Sequence, residues 1–250
     1  MKSRFNFFPI VLLLVSVLSL TSCTEFVNKI VENMAKETLD FEQVDSAKWG
    51  KVIEKELDLT SFNSIKTKGK VCIILSQDSA YYVRVRSNEK CVEAYKYEVK
   101  KGELRIEHKD FKGNVGKNTP PVTLYISVPD LKEVELTGAG KLHVQGTMEQ
   151  TESLDIEVSG AGQVDIDTLS VKSMKVELSG ASNCKFAKVV AEQDIEIEVN
   201  GAGDINANVF CEDLEVEING AGNVVLGGEC KNHTFTQAGA AKIDSSNLKK

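Results

Sequence analysis

The stretch Val-Ser-Gly-Ala-Gly-Gln-Val at residues 158–164 recurs, with small changes, through the second half of this 250-residue chain. The other copies read LTGAGKL at 136–142, LSGASNC at 178–184, VNGAGDI at 199–205, INGAGNV at 218–224 and QAGAAKI at 237–243. From one copy to the next, the first glycines are 22, 20, 21, 19 and 19 residues apart. A period near 20 residues is typical of stacked coils, so the repeat predicts an architecture built from equivalent units.

Apolar and polar residues alternate on both sides of each Gly-Ala-Gly corner. In the second copy, Ile156 and Val158 precede Gly160, and Val164 and Ile166 follow it. The equivalent residues elsewhere are Val134, Leu136, Leu142 and Val144; Val176, Leu178, Cys184 and Phe186; Ile197, Val199, Ile205 and Ala207; Val216, Ile218, Val224 and Leu226; and Phe235, Gln237, Ile243 and Ser245. Because a period of two indicates strands, each copy is predicted to be strand, corner, strand. Glycine suits the corner, since it adopts positive φ without strain.

These repeats predict an all-β fold. Its architecture is expected to be a single-stranded parallel β-solenoid of about six coils, each ~20 residues long, and right-handed winding is favoured. The coils are expected to span residues 132–245, with a short tail at 246–250. Residues 52–131 are predicted to form longer strands that begin the same rod and cap its exposed edge. Within them, Gly69 marks a degenerate coil and residues 100–102 form a hairpin turn.

The N-terminus has the pattern of a secretory signal. Basic residues precede an apolar run at 10–20, which is too short for a stable membrane span. Leu-Thr-Ser-Cys at 20–23 resembles the bacterial lipobox, whose cysteine is lipidated and becomes the mature N-terminus. The resemblance implies a signal peptide at 1–22, a lipid anchor at Cys23, a tether or short helix at 23–51, and a place in the bacterial envelope as an outer-membrane lipoprotein. An uncleaved anchor helix with an incidental cysteine is the alternative, and periplasmic and surface exposure both stay open.

Charge is divided unevenly along the chain. The formal net charge is −7, but residues 131–250 contain 20 acidic and 10 basic residues, whereas residues 61–130 contain 8 acidic and 13 basic residues. Before the corners, nine carboxylates and one lysine stand in two columns. We call these two columns the acidic ladder. One column contains Glu135, Glu157, Glu177, Glu198 and Glu217, and the other contains Glu133, Asp155, Lys175, Glu196 and Glu215. Since they alternate with core positions, both columns are expected on an outward face with rungs ~4.8 Å apart.

Stacked carboxylates repel one another and attract cations, so the ladder has three interpretations. The plainest is a solvated face that blocks wrong strand pairing. The second is a weak divalent-cation site at Glu135, Glu157, Glu177, Glu198 and Glu217, with Ca²⁺ favoured because oxygen ligands suit it better than Zn²⁺. The third is a surface for a basic partner. No other cofactor is indicated.

Short polar side chains also flank the corners in register. Thr137, Ser159, Ser179, Asn200 and Asn219 precede the first glycines, and Lys141, Gln163, Asn183, Asp204, Asn223 and Lys242 follow them. They are predicted to form hydrogen-bonded ladders along the stack. The alternative is a groove that binds a polar polymer such as a glycan.

Six cysteines include the lipobox cysteine, which leaves five in the mature chain. Cys184 occupies a core column, where it acts as a small apolar residue. Cys211 and Cys230 each stand ten residues after a first glycine, so they are expected on adjacent coils at a separation near the short end of the disulfide range. Cys72 and Cys91 offer a second candidate disulfide in the N-terminal part.

Catalysis is not indicated by the pattern of polar residues. The histidines at 108, 143 and 233 occupy different columns, and none has a nucleophile at a supporting spacing. A polysaccharide lyase is the sharpest enzymatic alternative, but it requires a basic groove and the coils are acidic. Nucleic acid is disfavoured by the negative net charge. A basic patch for anionic lipid or glycan is offered by Arg84, Arg86, Lys90, Lys100, Lys101, Arg105 and Lys109.

Several motifs together resemble the bacterial head-GIN family of autotransporter adhesins. They are the lipobox, the opening VIEKELDLTSFNSIKTKGKV at 52–71, the Val-Pro-Asp-Leu step at 128–131 and the serial corners. The similarity covers roughly residues 52–243 and implies an envelope-attached, β-rich binding module without established enzymatic activity. We therefore expect a non-enzymatic module that binds a glycan or protein partner. The alternatives are a structural, self-associating envelope protein and, second, a lyase-like enzyme.

Overall fold

The computed structural model describes residues 46–112, 119–150 and 152–250. Its strands are β1 (Val52–Glu56), β2 (Ser64–Gln77), β3 (Tyr82–Asn88), β4 (Tyr95–Lys100), β5 (Glu103–His108), β6 (Val122–Val128), β7 (Glu133–Glu149), β8 (Leu154–Val171), β9 (Met174–Ala191) and β10 (Asp194–Lys249). Two short helices, α1 (Ser46–Trp49) and α2 (Glu89–Ala94), complete the described secondary structure. The predicted all-β class is confirmed.

All ten strands belong to one hydrogen-bonded sheet. Its order is β1-β3-β6-β2-β7-β8-β9-β10, and β5 joins it through β2, with β4 paired to β5. Strands β2, β7, β8, β9 and β10 pair in parallel, and their corner glycines stack in register from Gly69 through Gly138, Gly160 and Gly180 to Gly201. Gly69 therefore continues the series of stacked corner glycines.

The long strand β10 contains the last three copies of the repeat. Within it, the backbone N–H of Asn223 donates to Oδ1 of Asp204, 19 residues earlier, at 2.8 Å. A Cβ placed on Gly220 would lie only 1.8 Å from the carbonyl oxygen of Gly201. The stacking of successive copies therefore continues inside β10.

Close backbone contact explains why glycine occupies the first corner position. Gly160 and Gly180 have φ angles of 124° and 121°, a region that side chains disfavour. A Cβ on Gly180 would lie 2.2 Å from the carbonyl oxygen of Gly160, and one on Gly160 would lie 2.3 Å from that of Gly138. Two features thus require glycine at each corner: the positive φ of the corner itself and the close contact with the preceding repeat.

The predicted core columns are buried throughout the first five copies of the repeat. A further set of apolar residues, outside those columns, is buried as well. It contains Met148, Leu154, Leu169, Met174, Val189, Ile195, Val209 and Leu214. Met148, Leu169, Val189 and Val209 share one register column. These four repeats therefore bury a third stretch besides the strands on the two sides of the corner.

In the N-terminal part, the sheet divides at Gly69. Residues 64–68 pair in parallel with β5, whereas residues 71–77 pair in parallel with β6. Antiparallel pairing then adds β4 to β5, and adds β3 and β1 to β6. The predicted hairpin is confirmed between β4 and β5, with φ of 53° at Lys101 and 80° at Gly102, the positive pair that a type I′ turn requires.

The last coil is less buried than the others. Phe235 and Ile243 are half-buried, and Gln237 is exposed. Strand β10 runs to Lys249, beyond residue 245 where the repeats were expected to end. Among the described residues this coil lies at the end of the sheet order, so it forms one edge.

The predicted signal peptide at 1–22 and the lipidation site Cys23 lie outside the described residues. Of the predicted tether, residues 46–51 are described, and α1 forms a single helical turn there. Within the described part of the chain, no helix is long and apolar enough to span a bilayer.

Candidate functional site

The acidic ladder is in register across the coils, as predicted. Glu135 pairs with Glu157, Glu157 with Glu177, and Glu177 with Glu198. The second column pairs in the same way through Glu133, Asp155, Lys175 and Glu196. Both columns alternate with buried residues and therefore face away from the core.

Two lysines neutralise part of the ladder. Nζ of Lys175 lies 3.0 Å from Oε1 of both Glu177 and Glu196, and Lys66 of the first coil forms an ion pair with Glu135. The hydrogen bonds to Glu177 and Glu196 raise the pKa of Lys175 well above its ordinary range. The hydrogen bond to Glu135 likewise raises the pKa of Lys66. Both ammonium groups therefore stay charged as parts of the ladder.

The surroundings of Asp155 in the ladder raise the pKa of its carboxyl. Partial desolvation is the main cause, Lys175 opposes this effect, and repulsion by Glu177 and Glu196 adds to it. Stacking of like charges thus makes a smaller contribution than burial.

Amide side chains bind the ladder at its C-terminal end. Asn200 donates to Glu198 at 2.6 Å, and Asn219 donates to Glu217 at 2.7 Å. In the described residues, no group of three or more His, Cys, Asp or Glu side chains is arranged to hold a metal ion. The weak Ca²⁺ site at the five ladder glutamates stays a prediction.

The polar column that follows the corners forms a hydrogen-bonded ladder, as predicted. Oδ1 of Asn183 accepts from the backbone N–H of Asp204 at 3.2 Å, and Oδ1 of Asp204 accepts from the side chain of Asn223 at 3.0 Å. At the other end of this column, Lys141 forms an ion pair with Asp165 at 3.1 Å. Because these half-buried groups satisfy one another, they support the stack.

The cysteines behave differently from one another. Cys211 and Cys230 are free thiols whose Sγ atoms lie 2.9 Å apart, the adjacent placement that their spacing predicted. Cys184 is buried in its core column. Cys72 and Cys91 are both buried, and no Sγ contact joins them in the part of the chain that the structure describes. Burial raises the pKa of each of these two thiols to about 11.

The predicted basic patch is divided between two parts of the sheet. Arg84 and Arg86 lie on β3 and form ion pairs with Glu54 at 3.1 and 3.4 Å. Lys100 and Arg105 lie on β4 and β5, which join β2 on the other side of its corner glycine. The three histidines are likewise separate, on β5, β7 and β10.

A cleft of about 330 Å³ lies beside the end of β1 and the start of β3. It is lined by Glu56, Leu57, Asp58, Leu59, Phe62, Tyr81, Tyr82 and Val83. Tyr81 and Tyr82 are each 38% exposed, which places them among the most exposed large apolar side chains described. Phe62 and Val83 are buried members of the lining.

The cleft combines a fixed aromatic wall with polar groups. The ring of Tyr81 packs against that of Phe62, with centroids 5.5 Å apart and planes inclined at 58°. Glu56 and Asp58 are exposed at the lining and offer carboxylate acceptors. The volume is at the lower end of the range of small-molecule clefts, about 300–1,000 Å³.

This cleft was not predicted from the sequence. The available signal was the pair Tyr81–Tyr82 in a chain of only 6% aromatic content. What brings residues 56–62 against that pair is the antiparallel pairing of β1 with β3, which places Glu56 opposite Arg84. That pairing occurs once and follows no repeat.

Comparison with known proteins agrees with the fold. The family described as "Putative auto-transporter adhesin, head GIN domain" matches residues 61–188 and 175–250. The comparison with curated proteins finds no match. Among solved structures, a "putative adhesin" from Bacteroides fragilis NCTC 9343 is 19% identical with a TM-score of 0.62, over 80% of this chain and 97% of that one.

Two further structures come from Parabacteroides distasonis ATCC 8503. A "putative adhesin" is 17% identical with a TM-score of 0.49, over 77% of this chain and 97% of that one. A "putative lipid binding protein" is 18% identical with a TM-score of 0.41, over 78% of this chain and 98% of that one. At 19% identity, the Bacteroides fragilis structure shows the fold alone. The family matches, however, run from residue 61 to residue 250, and the chain therefore belongs to the head GIN domain family.

Proposed function

We propose that this protein is a non-enzymatic binding module of the bacterial cell envelope that binds a carbohydrate in the cleft beside Tyr81 and Tyr82. The observation that carries the proposal is the pair of exposed tyrosines in a cleft whose lining is partly buried. An aromatic ring offers a flat apolar face to the C–H groups of a sugar, and its hydroxyl remains available for hydrogen bonds. Glu56 and Asp58 supply acceptors for sugar hydroxyls.

Membership of an adhesin family supports a binding role and names no catalytic activity. The cleft also stands on a rigid base, because Val83 and Phe62 belong to the continuous hydrophobic core. A site held by a packed sheet loses little conformational freedom when a ligand binds. A protein partner is the other occupant of the same surface, and the experiment below distinguishes the two.

The test is a glycan-array measurement with the full-length chain, run with and without Ca²⁺. We expect binding to a defined glycan class, and Tyr82→Ala should weaken it by about tenfold or more, or ~1.4 kcal/mol. Val225→Ala removes an exposed apolar side chain on β10 and serves as the control. An array without signal, or equal binding by both variants, would contradict the proposal. Loss of binding only when Ca²⁺ is removed would assign a role to the ladder glutamates.

We also propose that the in-register coils wind as a right-handed β-solenoid. Parallel pairing of successive repeats and buried columns on both sides of the first five corners support a solenoid. The right hand is the hand that parallel crossover connections favour. A crystal structure determines the hand directly, and a left-handed path would overturn this assignment.

The proposed envelope location rests on the lipobox resemblance and on the family. Metabolic labelling with a palmitate analogue should label the wild-type protein and fail to label Cys23→Ser. Protease accessibility on intact cells then separates a surface position from a periplasmic one. Unchanged labelling of the variant would refute anchoring at this cysteine.

Self-association is a second candidate role, favoured by the edge that the last coil presents. An exposed strand edge offers unpaired backbone groups to another chain. The excess of basic residues at 61–130 and of acidic residues at 131–250 would orient such copies head to tail. Light scattering across a salt series should then show concentration-dependent oligomers that dissociate as salt rises, whereas a salt-indifferent monomer would refute this role.

A further inference from the structure

We propose that Cys211 and Cys230 form a disulfide bond that staples two adjacent coils near the C-terminal end of the sheet. Their Sγ atoms lie 2.9 Å apart, closer than unbonded sulfurs pack. This distance exceeds the length of a disulfide, ~2.05 Å, by about 0.9 Å. Small side-chain rotations close that gap.

The stacking of the coils places the two cysteines opposite each other. They are 19 residues apart, the same offset that separates Glu212 from Lys231, the ion pair directly beside them. Adjacent strands are ~4.8 Å apart, which lies within the 4.4–6.8 Å between Cα atoms that a disulfide spans. The backbone therefore already has the separation that the bond needs.

The two thiols also differ in a way that suits bond formation. The two thiols share a hydrogen bond in which either sulfur can donate. Cys230 is buried, whereas Cys211 is half-buried and can meet a reagent from solvent. The accessible sulfur can therefore react with an external disulfide while the second sulfur already lies against it.

The oxidant is a disulfide, either of a small thiol or of a protein thiol oxidase. The deprotonated sulfur of Cys211 attacks one sulfur of the external disulfide, which releases one thiolate. That thiolate takes the proton of the Cys230 thiol. The Cys230 thiolate then attacks Sγ of Cys211 and releases the second external thiolate. The two cysteines are oxidised by two electrons, and the external disulfide is reduced to one thiol and one thiolate.

The other described cysteines are not expected to react in this way. Cys72, Cys91 and Cys184 are buried, and desolvation raises the pKa of each thiol. The bond would join the last two well-buried coils beside the final coil, where Phe235 is only half-buried. The bond therefore restrains the C-terminal end of the stack, where the side chains are less buried.

The experiment uses the full-length chain, equilibrated with oxidised glutathione or with dithiothreitol, alkylated without reduction, digested and mapped by mass spectrometry. We expect the oxidised protein to lose alkylation at Cys211 and Cys230 and to yield one peptide pair linked through them. Complete alkylation of both residues after equilibration with oxidised glutathione would overturn the proposal.

Unfolding in urea provides the second measurement. The midpoint of the wild-type protein should fall on reduction, and Cys184→Ala should keep this difference. Cys211→Ala should have the same midpoint under both conditions. A redox-dependent midpoint in Cys211→Ala, or a redox-independent one in the wild type, would also overturn the proposal.

Discussion

The hydroxyl of Tyr95 hydrogen-bonds to both backbone groups of Lys70, accepting from the N–H at 2.7 Å and donating to the C=O at 3.1 Å. Lys70 follows Gly69, the corner of the first coil. A Cβ on Gly69 would lie 2.4 Å from the Tyr95 hydroxyl, whereas a Cβ on Gly138 would meet the carbonyl oxygen of Gly69. At Gly69, the side chain of Tyr95 therefore covers the corner. At the later corners, the backbone of the preceding repeat covers the glycine instead.

Tyr95→Phe should lower the free energy of unfolding by about 1–3 kcal/mol, because it leaves polar backbone groups at a covered corner without their partner. Urea unfolding followed by circular dichroism measures the change. Tyr82→Phe is the control, since its ring is exposed, and it should stay within about 0.5 kcal/mol of the wild type. Equal stability of the two variants would show that the Tyr95 hydroxyl does not hold the first corner.

Gly180→Ala should destabilise the stack by at least about 2 kcal/mol, since it combines a positive φ with a steric clash. Its Cβ would lie 2.2 Å from the carbonyl oxygen of Gly160, which is backbone and cannot rotate away. Thermal unfolding of the purified variant measures the effect.

Gly227→Ala is the matched control for that substitution. Its nearest neighbour would lie 3.6 Å from the new Cβ, an ordinary contact. Stability should therefore be unchanged or higher by about 0.4–1 kcal/mol, because alanine restricts the unfolded chain. Similar losses in both variants would mean that the close stacking of corners does not explain the glycine.

Ser182→Ala should raise the free energy of unfolding by about 1 kcal/mol or more. Ser182 stands at the third corner position, where the other five copies of the Gly-Ala-Gly repeat have glycine or alanine, and its buried hydroxyl has no hydrogen-bond partner among the described residues. Alanine keeps the Cβ and removes the unsatisfied group. Ser179→Ala, at an exposed position of the same corner, should change stability little. A destabilised Ser182→Ala would point to an unrecognised partner of the hydroxyl.

Repetition made much of the fold predictable from the sequence. The corner at Gly160 and the columns of Ile156 and Val164 recur at equivalent positions, so each copy confirms the alternation of the others. In-register stacking then follows, because a slip by one residue would turn every core side chain outward. The degenerate coil at Gly69 was recognisable for the same reason.

Features that occur once were not predictable. Tyr95 reaches Lys70 across 25 residues that include α2, and no period relates the two. The cleft depends on the antiparallel pairing of β1 with β3, which brings Phe62 beneath Tyr81. Each of these contacts depends on the folded path of the chain, whereas a sequence pattern reports only local spacing.

Lys175→Gln should destabilise the protein at pH 7 and low ionic strength by about 0.2–1 kcal/mol, because the ammonium bridges Glu177 and Glu196 on a partly exposed face. The loss should shrink as salt screens the ladder. Since folding raises the pKa of Lys175, its contribution is complete below its ordinary value of 10.5 and is lost as the pH rises through the folded value. The control is Lys172→Gln, which changes an exposed lysine three residues earlier in the chain. Equal salt dependence of both variants would exclude a special role for Lys175.

Asp155→Asn should raise stability at neutral pH, because folding raises the pKa of this carboxyl from its ordinary value of 3.8. An acid with a raised folded pKa binds more protons in the native state, so its contribution to stability falls as the pH rises from 3.8 through the folded value. The variant should lack that fall when urea midpoints are compared between acidic and neutral pH.

Asp167→Asn should act in the opposite direction. The backbone N–H of Gly146 donates to Asp167 at 2.9 Å and, with His143, lowers the pKa of its carboxyl. Its contribution is therefore present above the ordinary value of 3.8 and is lost as the pH falls through the folded value, so the variant should be less stable at neutral pH. If Asp155→Asn and Asp167→Asn shifted the neutral midpoint in the same direction, burial of Asp155 with added repulsion from the ladder would not explain its behaviour.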